Sequence, residues 1–179
     1  MKGRRLLVGV TGGIAAYKTA GLVSQLVQAG GDVSVVMTHS SLEFIGQATF
    51  AALTGRPVAT QLFDPQFPLG AHIQLARENE LLCIAPTSAH CLARLAQGQS
   101  DDLLSTLYLC FTGPVVLAPA MNDQMWKNPA VQRNVETLRQ DGVHFIDPEE
   151  GWLSCRQSGA GRMADPDEIA NTITHLLSK

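Results

Sequence analysis

Short apolar runs alternate along the chain with longer stretches whose apolar residues recur at helical spacing. Residues 5–10 (RLLVGV), 32–37 (DVSVVM), 81–86 (LLCIAP) and 114–119 (PVVLAP) are largely apolar on both faces, and 143–146 (VHFI) is a shorter run. Each predicts a buried strand. Between the first two, residues 15–29 carry Ala16, Ala20, Val23, Leu26 and Val27 on one helical face and stop at Gly30-Gly31. Helices are also predicted over 42–53, opened by the hydroxyls of 38–41, over 88–96, over 101–110, in one segment running through Arg139, and over 167–177. Residues 61–70 read as a loop. The stretch around 148–165, with Gly151, Gly159 and Gly161, reads as a mobile flap.

Doubly apolar strands separated by crossover helices predict a parallel sheet covered on both faces. The expectation is therefore an α/β fold: a three-layer α/β/α, Rossmann-like (flavodoxin-like) domain with a mainly parallel sheet. The 179 residues fit one domain, 1–179, with no repeat or linker. A hydrophobic fraction of 45% excludes intrinsic disorder. The charged fraction of 16% is low against the usual ~25%, as expected if copies of the chain cover part of its surface. A net charge of −3 without any basic run argues against nucleic acid. Lys2, Arg4 and Arg5 ahead of an apolar run resemble a signal peptide, but the run breaks at Thr11-Gly12-Gly13 and fits a first strand better. No run approaches the ~18 apolar residues of a membrane span. Cys83, Cys91, Cys110 and Cys155 show no metal spacing. The first three lie in apolar stretches and are expected in the core, and free thiols suit a reducing cytoplasm.

In parallel α/β sheets ligands bind beyond the carboxyl ends of the strands. The first strand is followed by Thr11-Gly12-Gly13-Ile14-Ala15-Ala16, small residues that leave backbone amides free for an anion at a helix start. This is neither a dinucleotide fingerprint nor a Walker loop. Thr38 and Ser40 add hydroxyls after the second strand, where their alternative role is capping. Two such neighbouring strand ends favour a mononucleotide. The third strand leads into Ala85-Pro86-Thr87-Ser88-Ala89-His90-Cys91 and the fourth into Ala118-Pro119-Ala120-Met121-Asn122-Asp123-Gln124-Met125-Trp126. The alternative to a site is two strand-to-helix turns with Met and Trp in the core.

TGGIAAYK (11–18), HIxL (72–75), APTSA (85–89), PAMNxxMW (119–126) and GWLSCxxSGxGRMADP (151–166) occur in this order. Together they resemble the homo-oligomeric flavin-containing cysteine decarboxylases, and most closely the branch acting on 4′-phosphopantothenoylcysteine in coenzyme A biosynthesis. The resemblance implies FMN held by Gly12, Gly13 and Ile14, by Thr38, His39 and Ser40, by Ser88, Ala89, His90 and Cys91, and by Ala120. It implies His72 and Cys155 as catalytic residues, and Asn122 with Met125 as substrate ligands. Arg77 is the candidate for the substrate phosphate, with a solvated helix face as its alternative. His90 departs from the pattern, since relatives usually carry Asn or Asp there. The resemblance also implies a homotrimer, or an assembly of trimers, with FMN near the subunit interface. The ligase domain fused to this one in many bacteria is not matched, so a separate synthetase is expected.

An acylated cysteine has no electron sink that lets its carboxylate leave. Flavin provides one by taking two electrons from the thiol-bearing carbon. The thioaldehyde so formed is β to the carboxylate, and loss of CO₂ leaves an enethiolate. An imidazole suits the first proton transfer, an amide orients a carboxylate without an ionic grip, and a thiol can return a proton to carbon. The alternatives are an oxidative decarboxylase of peptidyl cysteine, a flavin prenyltransferase, and a non-catalytic flavin-binding regulatory subunit. Relatives of the first kind often have PNMN and lack the flap cysteine, so Ala120 and Cys155 argue against it. The prenyltransferases do not need His72, PAMN and Cys155 together. The regulatory relatives often lack the His or the Cys.

Overall fold

Five of the apolar runs become the strands of one parallel sheet. The structure, a computed structural model, describes residues 1–178. In chain order the elements are β1 (Arg5–Val10), α1 (Ala16–Gln28), β2 (Asp32–Met37), a 3-10 helix (His39–Glu43), α2 (Gln47–Thr54), α3 (Ala71–Glu78) and β3 (Leu81–Thr87). They continue with α4 (Ala89–Ala96), α5 (Leu103–Cys110), β4 (Val115–Pro119), α6 (Asp123–Lys127), α7 (Pro129–Gln140), β5 (His144–Phe145), β6 (Glu149–Trp152), β7 (Ser158–Arg162) and α8 (Pro166–Leu177). The sheet order is β2-β1-β3-β4-β5, and every pairing within it is parallel. That is the flavodoxin-like order, with its switch point between β1 and β3.

Alternate residues of each strand feed two separate cores. Leu6, Val8 and Val10 of β1 join Val33, Val35, Leu81 and Cys83 against α1 and α8, where Leu22, Leu26, Ile169 and Ile173 are buried. Leu7, Val36, Leu82, Ile84 and Leu117 point the other way, onto α3, α4, α5 and α7 through Leu75, Leu92, Leu104 and Leu138. Three layers result, as the doubly apolar runs require.

The sequence reading missed several boundaries. The helix expected over 42–53 is a 3-10 turn followed by α2, because Gly46 is extended and caps the second piece. The segment through Arg139 divides into α6 and α7 at Asn128, whose side chain accepts from the Ala130 amide while Pro129 opens the new helix. Helix α3 went unpredicted. It has only eight residues and starts at Gly70, which holds a left-handed φ of 88°. Cys110 is exposed, not core: it ends α5 beside the half-exposed Leu109.

The flap is an antiparallel hairpin of β6 and β7. Two of its glycines, Gly159 and Gly161, pack closely against the segment after β4. A Cβ on Gly159 would lie 2.8 Å from the Asp123 Cβ, and one on Gly161 would strike the Met121 carbonyl oxygen. The Met121 amide in turn donates to the Gly161 carbonyl at 3.0 Å. Gly161→Ala is expected to cost about 1–3 kcal/mol, since backbone and not a flexible side chain must move. Thermal unfolding of that variant against Gly46→Ala, where a Cβ meets nothing, checks it.

Candidate functional site

Parallel pairing puts the carboxyl ends of β1, β2, β3 and β4 along one edge of the sheet. The segments leaving them are locked together before any ligand is considered. Thr11 Oγ1 donates to the Pro86 carbonyl at 2.6 Å and accepts from the Ser88 amide at 2.9 Å, joining the ends of β1 and β3. The Ala120 amide donates to the Thr87 carbonyl at 3.1 Å, joining β3 to β4. Ser88 caps α4 by accepting from the Cys91 amide. Thr38 makes no side-chain cap. Its hydroxyl lies 3.3 Å from both the Val10 carbonyl and Ser40 Oγ, beside the glycine turn.

Two cavities open over this edge. The larger, about 520 Å³, is lined by Gly12, Gly13, Ile14, Ser88, Ala89 and Ala120 on the sheet side, and by Asn122, Met125 and the flap. The smaller, about 300 Å³, is lined by Thr38, His39, Ser40, Ser88, His90 and Cys91. Ser88 belongs to both. At Gly12 a Cβ would sit 2.5 Å from Ser40 Oγ, so glycine lets the first and second loops meet. At Gly13 a Cβ would find only Pro86 Cγ at 4.0 Å, so its backbone faces open space.

Asn122 is oriented by its place in the chain. As the cap of α6, its Oδ1 accepts from the Gln124 amide at 2.9 Å. The amide nitrogen must then point away from the helix, and Nδ2 lies 3.5 Å from Cys155 Sγ. The cavity thus receives donors from Asn122 while the acceptor is occupied. Cys155 is exposed at the hairpin tip, where the Leu153 amide donates to the Gln157 carbonyl and the Arg156 amide to that of Leu153. Arg156 takes a left-handed φ of 63° to close this turn. Met125 and Trp152, 47% and 67% exposed, form the rim.

Burial pushes the Cys91 thiol up to about 12, with the nearby Asp102 acting in the same direction and Arg94 opposing it. Cys91 is therefore a protonated wall of the smaller cavity. Cys83, in the core under β3, is likewise pushed up to about 12 by burial.

Two expected site residues stand apart. His72 lies in the first turn of α3 and Arg77 in its last turn, and neither lines either cavity. His72 Nδ1 is buried without a hydrogen-bond partner, and Arg77 is exposed. Two cations that the sequence offers only in passing, Lys18 as the nearest to the glycine turn and Arg162 as ordering the flap or simply exposed, line the larger cavity. Lys18 donates to the Met163 carbonyl at 3.1 Å, and Arg162 pairs with Glu149 across the base of the hairpin. Both lie inside quoted motifs, and the signal that marks them is a cation on a segment facing the cavity.

A family model described as Flavoprotein matches residues 1–178. The chain is 42% identical over 180 residues to the coenzyme A biosynthesis bifunctional protein CoaBC of Haemophilus influenzae, covering 100% of this chain and 45% of that protein. It thus spans less than half the length of that curated relative. Among solved structures it is similar to a cysteine-to-serine mutant of PPC decarboxylase complexed with pantothenoylaminoethenethiol, with a TM-score of 0.87, 30% identity and 100% of both chains covered. It is also similar to the FMN-dependent cysteine decarboxylase SpaF, with a TM-score of 0.84, 31% identity and 98% of both chains covered.

Proposed function

The chain belongs to the Flavoprotein family, and from that premise we propose that it is an FMN-dependent carboxy-lyase converting 4′-phosphopantothenoylcysteine to 4′-phosphopantetheine and CO₂. The observation that carries this reading is the Asn122 amide nitrogen facing the Cys155 thiol across a cavity at the end of β4. The match to CoaBC and to PPC decarboxylase supports the substrate assignment.

The residues present fit FMN. Ile14, Ala15, Ala89, Ala120 and Met121 give the larger cavity an apolar lining suited to a flavin ring. Thr38, Ser40 and Ser88 supply hydroxyls, and Gly13 exposes backbone, for the polar chain. FMN, when bound, supplies the two-electron sink that the cysteine lacks. Asn122 Nδ2 donates to the substrate carboxylate, holding it without a salt bridge that would oppose its loss. Met125 and Trp152 exclude water at the rim. Cys155 Sγ–H delivers a proton to carbon in the closing half of the reaction. His72 takes the proton in the opening half, and Arg77 meets the substrate phosphate.

The last two roles require a second copy, because neither residue lines its own chain's cavities. Loop 61–70 ahead of α3 exposes Phe63 and Leu69, 89% and 67% accessible, as an apolar surface for such a contact. A homotrimer, or an assembly of trimers, with FMN at the subunit interface satisfies both observations. Light scattering at micromolar concentration is expected to give a multiple of three; a flavin-loaded monomer contradicts it. No helix among the described residues is long and apolar enough to cross a membrane, and four free cysteines support a reducing cytoplasm.

Heat-released cofactor from the purified protein is expected to co-elute with FMN on reverse-phase chromatography. Recovery of FAD, or a colourless protein that ignores added FMN, overturns the cofactor assignment. The substrate is tested by comparing CO₂ release from 4′-phosphopantothenoylcysteine with that from a peptide ending in cysteine. The former should be preferred; preference for the peptide overturns the reading.

A further inference from the structure

The four loops of the site follow the strand order β2-β1-β3-β4. Asn122 and the flap stand at the β4 end, while Thr38, His39 and Ser40 stand at the β2 end. Three inter-strand spacings of ~4.8 Å separate these ends by about 14 Å. A flavin whose ring lies beside Asn122 therefore extends its phosphate toward β2 and the smaller cavity.

The fixed charges lining that cavity leave no free cation for a phosphate. Arg94 lines it, but the guanidinium pairs with Asp102 and, at 2.8 Å, with Asp101. Asp102 is further fixed as the cap of α5, accepting from the Ser105 amide at 2.7 Å. Within the lining Arg94 and Asp102 cancel, and Asp101 holds the other side of the guanidinium from outside the cavity. The Cys91 thiol adds no charge, since burial keeps it protonated. Lys18 belongs to the larger cavity and is tied to the Met163 carbonyl. The remaining ionisable groups lining the smaller cavity are His39, which opens the 3-10 helix, and His90. His90 lies in the first turn of α4, four residues before Arg94 and on the same helical face.

We propose that His39 and His90 are the cationic partners of the cofactor phosphate, so that this protein retains FMN more tightly as the histidines become protonated. The inference rests on the FMN reading above and adds a role for His90, which departs from the family pattern. Imidazole is the side chain that changes charge between about pH 5 and 8. A phosphomonoester loses its second proton near pH 6 and is mostly dianionic above it. Between pH 6.5 and 8.5, as conditions of measurement, the phosphate gains only about a quarter of a negative charge, less than two ordinary imidazoles lose in positive charge. The sign is fixed: a dianion favours the protonated histidines, so affinity falls as pH rises.

The test is dissociation of flavin from the holoprotein on serial dilution, followed by recovery of free-flavin fluorescence at those two pH values. Two exposed ion pairs together give about a tenfold weaker dissociation constant at the higher pH. His39→Asn and His90→Asn should each reduce that difference, and the double variant should abolish it. His90→Lys, which carries a fixed charge, should bind tightly at both values. FMN bound with no pH dependence in wild type, or with the full dependence in the double variant, overturns the histidine assignment alone. A protein that holds no FMN at either pH overturns the cofactor reading, and this inference with it.

Discussion

Cys155→Ser is expected to release CO₂ in its first turnover at close to the wild-type rate, leaving an enethiol product lighter than the aminothiol by two hydrogens and a reduced flavin that dissolved dioxygen must reoxidise before the next turnover. In the proposed reaction oxidation and loss of CO₂ draw on His72 and Asn122, and neither step uses the hairpin thiol. The closing step must place a proton on carbon, and Cys155 is the exposed donor whose sulfur already contacts Asn122 at 3.5 Å. A thiol ordinarily titrates near 8.5, whereas an aliphatic hydroxyl lies far above it. Serine keeps the size and can still accept from Asn122 Nδ2, so the hairpin tip should not be disturbed. Formation of the saturated product should fall by about 10²–10⁴, the range of a lost general acid. Mass spectrometry of quenched reactions reads both products at once. Saturated product at an undiminished rate would make Cys155 a structural residue.

His72→Asn is expected to keep its flavin and lose CO₂ release by a comparable factor of about 10²–10⁴. Retention follows from position, because His72 lies outside the loops 11–14, 38–40 and 88–91 proposed to hold the cofactor. The buried Nδ1 has no partner to lose, so asparagine should be tolerated in the first turn of α3. The flavin absorption spectrum checks loading, and anaerobic mixing with substrate checks flavin reduction. Co-assembly offers a sharper readout. Mixed oligomers of His72→Asn and Asn122→Ala chains contain interfaces with one intact half from each, so partial activity should return. Near-normal turnover by His72→Asn alone removes the histidine from the mechanism.

The four long strands were legible because parallel strands buried on both faces leave continuous apolar runs, as in residues 33–37 and 81–85. Helix boundaries were less so. Gly46 and Asn128 break helices through backbone conformation and capping, which apolar periodicity does not register. Helix α3 follows directly on the Pro- and Gly-bearing loop 61–70 and has no side-chain cap at Gly70 to mark its start. The close approach of β7 to 121–123, which a Cβ at Gly159 or Gly161 would obstruct, was not legible, because it is a contact between segments distant in the chain. The motifs single out Gly12, Gly13, Ser88, Ala120, Asn122 and Cys155, and all six line the larger cavity. The separation of His72 and Arg77 from that cavity was not legible, because spacing along a chain does not show which cavity a side chain reaches. The two-cavity division was equally hidden, since it depends on Ser40 closing against Gly12 across loops 28 residues apart.

The account rests on one reaction, and the product of the wild-type protein tests it most directly. Purified protein is incubated with 4′-phosphopantothenoylcysteine under anaerobic conditions, with no added oxidant or reductant, and the products are identified by mass. The prediction is 4′-phosphopantetheine, lighter than the substrate by CO₂ alone, formed over many turnovers because the electrons taken from the substrate are returned to it. Enethiol as the only product, or an unchanged substrate with flavin bound, would contradict it.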